Sequence, residues 1–161
     1  MKRREAIRNV ILVSAGAAFL YSCKEKAATI TLKHISLTGA EEDVLVELTE
    51  TIIPKTDFPG SKDLKTSDFI FTMADDCLPP EAQQKFSAGL KAFDQAGFVK
   101  MSADERKNFI DKLEGDQKEF FEMVKQGTIE SFVTSEKYLK DVKNITSLIP
   151  PKFQACVTVN S

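Results

Sequence analysis

The chain has 161 residues, a formal net charge of −2 and twelve Phe, with two Tyr and no Trp. That length suits one domain able to bury a core of its own, and the shortage of Tyr and Trp argues against a sugar-stacking or paratope-like surface. The charge is unevenly placed: residues 1–22 carry Lys2, Arg3, Arg4 and Arg8 against Glu5, a net of +3 that leaves −5 for the rest. Acidic and basic residues are interspersed in that remainder, so it offers nucleic acid no basic stripe.

The first element is a leader. Residues 1–9 are basic, and Val10–Leu20 is an apolar run of eleven residues broken by one Ser. A run that short falls below the roughly 20 residues that span a bilayer. It has no polar face, which favours a signal peptide over 1–22 rather than an amphipathic or buried first helix. Leu20-Tyr21-Ser22-Cys23 resembles the bacterial lipobox. The resemblance implies cleavage before Cys23, acylation of its thiol and attachment to a membrane, since each buried lipid methylene contributes about 0.8 kcal/mol. An unmodified Cys beside an ordinary cleavage site is the alternative. Arg3-Arg4-Glu5-Ala6-Ile7-Arg8 resembles a twin-arginine export signal, although Ala6 stands where a bulky residue is usual; general secretory export is the alternative. The expected location is the periplasmic side of a bacterial envelope, with inner and outer membrane both open.

With Cys23 assigned to lipid, Cys77 and Cys156 remain as an even pair in an oxidising compartment. A bridge between them would close a loop of about 80 residues and stabilise by about 4 kcal/mol in the chain-entropy model. Two buried thiols acting as small apolar side chains are the alternative.

After Cys23, residues 24–37 mix Lys, Ala, Thr and one His and read as a tether, so that 23–37 comprises the lipidated Cys and its leash and 38–161 the folded domain. Thr38-Gly39-Ala40-Glu41 is a capping box, followed by Val44, Leu45, Leu48 and Ile52 at helical spacing. Pro54 stops that helix. Pro59-Gly60 predicts a tight turn, with Gly supplying a positive φ. A short helix is expected over Ser67–Cys77 with Phe69, Ile70, Met73 and Ala74 on its apolar face, broken by Pro79-Pro80. A long helix follows from Glu81 to about Phe98, carrying Phe86, Leu90 and Phe93, with Gly97 at its exit. Ser102-Ala103-Asp104-Glu105 is a second capping box, opening a helix with Phe109, Ile110 and Leu113 that ends near Gly115. The last long helix runs from Asp116 to about Phe132, with Phe120, Val124 and Phe132 as core candidates. Beyond Thr134 the pattern fades into a short helix or loop and a Pro150-Pro151 tail. The fold class is therefore all-α: a compact bundle of about five helices with irregular connections and a C-terminal tail.

Catalytic chemistry is hard to build from these residues. The chain has no Gly-rich dinucleotide fingerprint, no phosphate loop and no Cys-x-x-Cys-His for haem. Its one histidine, His34, falls in the tether and reads as solvated, so no triad and no multi-His zinc site is expected. Asp75-Asp76 and Glu41-Glu42-Asp43 are adjacent carboxylates that diverge on a helix and read as surface charge. No catalytic residue, metal site or cofactor is assigned to this chain.

Four segments in order resemble the gluconate 2-dehydrogenase subunit 3 family, also called the small or gamma subunit. They are Leu48-Thr49-Glu50-Thr51-Ile52-Ile53-Pro54-Lys55-Thr56-Asp57-Phe58-Pro59-Gly60-Ser61; Asp75-Asp76-Cys77-Leu78 with Gln83, Gln84 and Phe86; Thr128-Ile129-Glu130-Ser131-Phe132-Val133-Thr134-Ser135-Glu136; and Pro151-Lys152-Phe153-Gln154-Ala155-Cys156-Val157. Phe58 and Ser61 depart from a Thr-x-Pro-Gly-Ala pattern, and Lys152 replaces a Gly. The resemblance covers residues 38–157. It implies a subunit without a redox centre that accompanies a large FAD-dependent dehydrogenase of the glucose–methanol–choline type. A cytochrome subunit with haem c often joins such complexes, and the small subunit carries the twin-arginine signal for its partner. The expected partner-binding residues are Thr56, Asp57, Pro59 and Gly60 in the turn and Thr134, Ser135 and Glu136 further on, each of which also has a purely local role as helix stop or cap. A free-standing envelope lipoprotein with a ligand-binding or scaffolding role is the alternative from another class, and an enzyme in its own right a third.

Overall fold

The structure is a computed structural model that describes residues 27–145. Among these the order is α1 (Gly39–Ile52), α2 (Thr66–Cys77), α3 (Pro80–Gln95), a 3₁₀ turn (Phe98–Lys100), α4 (Ala103–Asp111), α5 (Gly115–Thr134) and α6 (Glu136–Asp141). The fold is all-α, with five substantial helices and the short α6. No described helix is long and apolar enough to cross a membrane.

Local chemistry places the boundaries. Thr38 Oγ1 accepts the Glu41 N–H at 3.2 Å while Glu41 returns a carboxylate to the Thr38 N–H at 2.8 Å, and Ser102 and Glu105 repeat the arrangement at α4. Pro80 opens α3, where its missing N–H costs nothing. That helix ends earlier than expected: Gly97 takes φ 73° and Phe98 enters the 3₁₀ turn. Gly115 (φ 54°) makes the tight junction into α5.

The core is an aromatic ladder set in aliphatic walls. Phe71, Phe86, Phe93 and Phe98 are fully buried, with Val44, Leu45 and Leu48 of α1 and Val124 of α5 around them. Phe120 stands between Phe86 and Phe93, its ring centroid 5.6 Å and 5.2 Å from theirs. The close approach of α3 to α5 depends on Gly89, where a Cβ would lie 2.2 Å from Phe120 Cγ.

Two expectations about faces change. On α2 the inward side is Ile70, Phe71 and Ala74, whereas Phe69 and Met73 stay 38% and 43% exposed. The helix starts one residue early, after Lys65 in a left-handed conformation, and Phe71 is the side chain that meets Phe86. Phe132 is outside the main core and forms a separate aromatic group with Phe58 and Tyr138.

Residues 27–37, expected as a free tether, lie against the domain. Ala27 pairs antiparallel with Thr38. Ile35 is buried, and Ile30, Leu32 and Leu37 pack on the core. The reason is Asp75, read from sequence as surface charge but only 4% exposed. Its carboxylate accepts three consecutive backbone N–H groups, from Lys33 at 2.7 Å and from His34 and Ile35 at 2.8 Å. Burial of that carboxylate opposes ionisation, and the three donors outweigh it, so its pKa falls below the ordinary value. Asp76 remains exposed and pairs with Lys33 at 3.0 Å.

Candidate partner-binding surface

Pro54 ends α1, and the chain turns back through Lys55–Ser61 before α2 begins. Glu50 of α1 organises this turn: one carboxylate oxygen accepts the Lys55 N–H at 3.0 Å, the other the Lys62 N–H at 2.9 Å. The Ser61 N–H then closes on Ile53 O at 3.1 Å. Gly60 is required by crowding rather than by a positive φ, contrary to the sequence expectation. A Cβ there would stand 2.6 Å from Lys55 N and 2.8 Å from the Glu50 carboxylate. Gly60 N–H donates to Asp63, which also pairs with Lys55 Nζ at 3.1 Å. One turn earlier on α1, Glu47 accepts from Lys62 Nζ and Arg106 Nη1, both at 2.7 Å. Burial opposes its ionisation, but these two partners prevail and hold its pKa below the usual carboxylate range.

Phe58 projects from the turn onto the end of α5. Its ring centroid is 5.7 Å from that of Phe132 and 6.5 Å from that of Tyr138, and Lys137 Nζ sits 5.9 Å over its face. This packing places Thr56, Asp57, Pro59 and Gly60 at the same end of the molecule as Thr134, Ser135 and Glu136, more than seventy residues later. The later segment keeps its local roles too. Ser135 Oγ accepts the Tyr138 N–H at 3.2 Å and donates to Phe132 O, Thr134 Oγ1 donates to Glu130 O, and Glu136 pairs with Lys140. Thr56 Oγ1 accepts the Phe58 N–H at 3.3 Å, while the Asp57 side chain is exposed.

The later segment, through Thr134, Ser135 and Glu136, borders an open groove of about 550 Å³ whose other wall is Asp63, Lys65 and Phe69; the turn residues Thr56, Asp57, Pro59 and Gly60 do not line it. Phe69 also lines a second, more apolar groove of about 260 Å³ between α2 and α5, with Met73, Cys77, Leu78, Met123 and Gly127. Ile129 and Val133, one turn apart on α5, are 40% and 38% exposed. This end therefore combines a rigid aromatic anchor, exposed aliphatic side chains and a charged rim, the composition of a protein-binding surface. Sequence inspection missed Glu47, Glu50, Phe58 and Tyr138. Glu50 and Phe58 lie inside the first quoted segment, but their roles depend on contacts across the fold.

Cys77 is exposed on the groove rim, its Sγ 4.0 Å from Met73 Sδ. Arg3, Arg4, Cys23 and Cys156 lie outside the described residues. The described residues include no group of three or more His, Cys, Asp or Glu side chains placed to hold a metal ion.

The family model described as gluconate 2-dehydrogenase subunit 3 matches residues 39–148. No curated protein and no solved structure matches the chain.

Proposed function

The chain belongs to the gluconate 2-dehydrogenase subunit 3 family, and we propose that it is a non-catalytic accessory subunit that binds, matures and co-exports a large FAD-dependent dehydrogenase of the glucose–methanol–choline type. In this proposal FAD belongs to the partner, which oxidises a sugar or sugar acid, and haem c to a cytochrome subunit where one joins the complex. Arg3 and Arg4 direct twin-arginine export of the folded pair. Acylated Cys23 holds it on the periplasmic side of the envelope, and Cys77 and Cys156 form a bridge.

The observation that carries the proposal is the packing of Phe58 on Phe132 and Tyr138. It joins two segments far apart in sequence into one surface whose neighbouring apolar side chains stay exposed. A bound flavoprotein would cover such a surface.

The test is co-purification of a flavoprotein with chains altered on that surface. Asp57→Arg combined with Val133→Asp alters only exposed side chains, so the melting temperature should hold while the partner is lost. Undiminished recovery of the flavoprotein would defeat the proposal. Replacing Arg3 and Arg4 with Lys should strand both proteins inside the cell. Non-reducing peptide mapping should recover Cys77 and Cys156 in one linked species.

A further inference from the structure

We infer that the domain rests on its membrane by one end of α1 and presents the partner surface at the other end. The inference rests on the acylated Cys23 of the proposed function. Three observations carry it.

The first is the length of the leash. Ala27 is bridged to Thr38, the N-cap of α1. Ala27 is only four positions after Cys23, and a fully extended chain covers at most about 14 Å over that interval. The second is the grip on the arm. Lys33, His34 and Ile35 donate their backbone N–H groups to Asp75, near the C-terminal end of α2, and Ile35 is buried. The arm therefore cannot act as a long tether unless those bonds and the apolar contacts of Ile30, Leu32 and Leu37 are given up. The third is direction. The fourteen residues of α1 extend about 21 Å, from Thr38 to the turn that Phe58 docks on Phe132. α2 runs the opposite way, from Thr66, whose N–H meets Ser61 O at 3.0 Å, to Asp75 beside the arm.

A leash shorter than α1 keeps the Ala27–Thr38 end close to the lipid headgroups. The turn Thr56–Ser61 and the segment Thr134–Glu136 face away from the bilayer, where a large soluble partner can dock without meeting lipid. The ligand of the near end is the lipid surface itself, reached through the acyl chains.

Position-specific quenching in the mature acylated chain tests this. In a background carrying Cys77→Ser and Cys156→Ser, a fluorophore is attached through Thr29→Cys on the arm or Asp57→Cys in the turn, both exposed positions. The chain is placed on vesicles whose lipids bear nitroxide headgroups. Quenching should be several-fold stronger at position 29 than at position 57. A long Gly-Ser insertion between Lys26 and Ala27 should abolish most of that difference. Equal quenching at both positions in the chain without the insertion overturns the orientation while leaving the anchor standing. A mature protein whose mass shows no acyl group at Cys23 overturns the anchor, and the orientation with it.

Discussion

Asp75 Oδ1 accepts the backbone N–H of Ile35 at 2.8 Å, forty positions back along the chain. With the Lys33 and His34 donors it forms a carboxylate cradle that fixes the arm to the domain. A carboxyl whose folded pKa is depressed contributes stability above its unfolded value, about 3.9 for Asp, and that contribution is lost as pH falls through the folded value. The arm should therefore hold at neutral pH and loosen below about pH 4. Asp75→Asn keeps the shape but removes the charge and one acceptor oxygen. Its melting temperature should be lower than the parent's at pH 7, and the gap should narrow in strong acid. Amide exchange should accelerate at Lys33, His34 and Ile35 before it does in α1. A gap that stays constant into strong acid would show that the charge of Asp75 does not hold the arm.

Gly89 sets the spacing of α3 and α5. Adding a methyl group in Gly89→Ala forces it against the Phe120 ring, with no flexible side-chain end to give way. Overpacking of this kind costs about 1–3 kcal/mol, and the rigid aromatic neighbour places this site toward the upper end. Trimming the ring in Gly89→Ala/Phe120→Leu should recover part of the loss. Denaturant midpoints of the two singles and the double give the coupling energy.

Ser61 Oγ is buried and has no hydrogen-bond partner among the described residues. A buried hydroxyl left unpaired costs about 1–3 kcal/mol. Ser61→Ala should stabilise the domain by about 1 kcal/mol, read as a higher urea midpoint at unchanged slope. A destabilised variant would show that the hydroxyl has a partner after all.

Arg106 binds three groups at once. Nη1 donates to Glu47 at 2.7 Å, Nη2 to Val99 O at 2.8 Å and Nε to Phe98 O at 3.2 Å, with the guanidinium 5.3 Å from the Phe98 ring centroid. A lysine ammonium cannot reproduce that planar fork. Arg106→Lys should cost about 1–2 kcal/mol, since at least one half-buried carbonyl loses its donor. The same change leaves Glu47 with Lys62 alone, so exchange in the Lys55–Lys62 turn should quicken. Protection there equal to the parent's would separate α4 from the partner surface.

The helices are legible in the sequence because their signals are local. Two capping boxes, Pro54, Pro80 and Gly97 act within a turn of where they stand, and the Phe86, Leu90, Phe93 spacing declares its face without help from the rest of the chain. The family is legible as well, since its segments are contiguous strings that survive without the fold. Faces on short helices are less so: α2 offers apolar side chains at Phe69, Ile70, Phe71, Met73 and Ala74, and only the packing of neighbouring helices, with Phe71 meeting Phe86 of α3, decides that Phe71 goes in while Met73 stays out.

The placement of the arm and of the partner surface belongs to the tertiary structure. Ile30, Leu32, Ile35 and Leu37 in residues 27–37 are a signal for docking that the tether reading passes over, but they do not say where the strap docks. That is decided by a carboxylate some forty residues away, whose burial is repaid only when three backbone donors converge on it. The two candidate partner segments can likewise be picked out as strings, but a string carries no statement of nearness. Phe58 and Phe132 meet because α1 and α5 bring their ends together; which pieces exist, and to what family they belong, is readable without that packing. Long-range contacts, which depend on helix packing across the core, decided which pieces act as one.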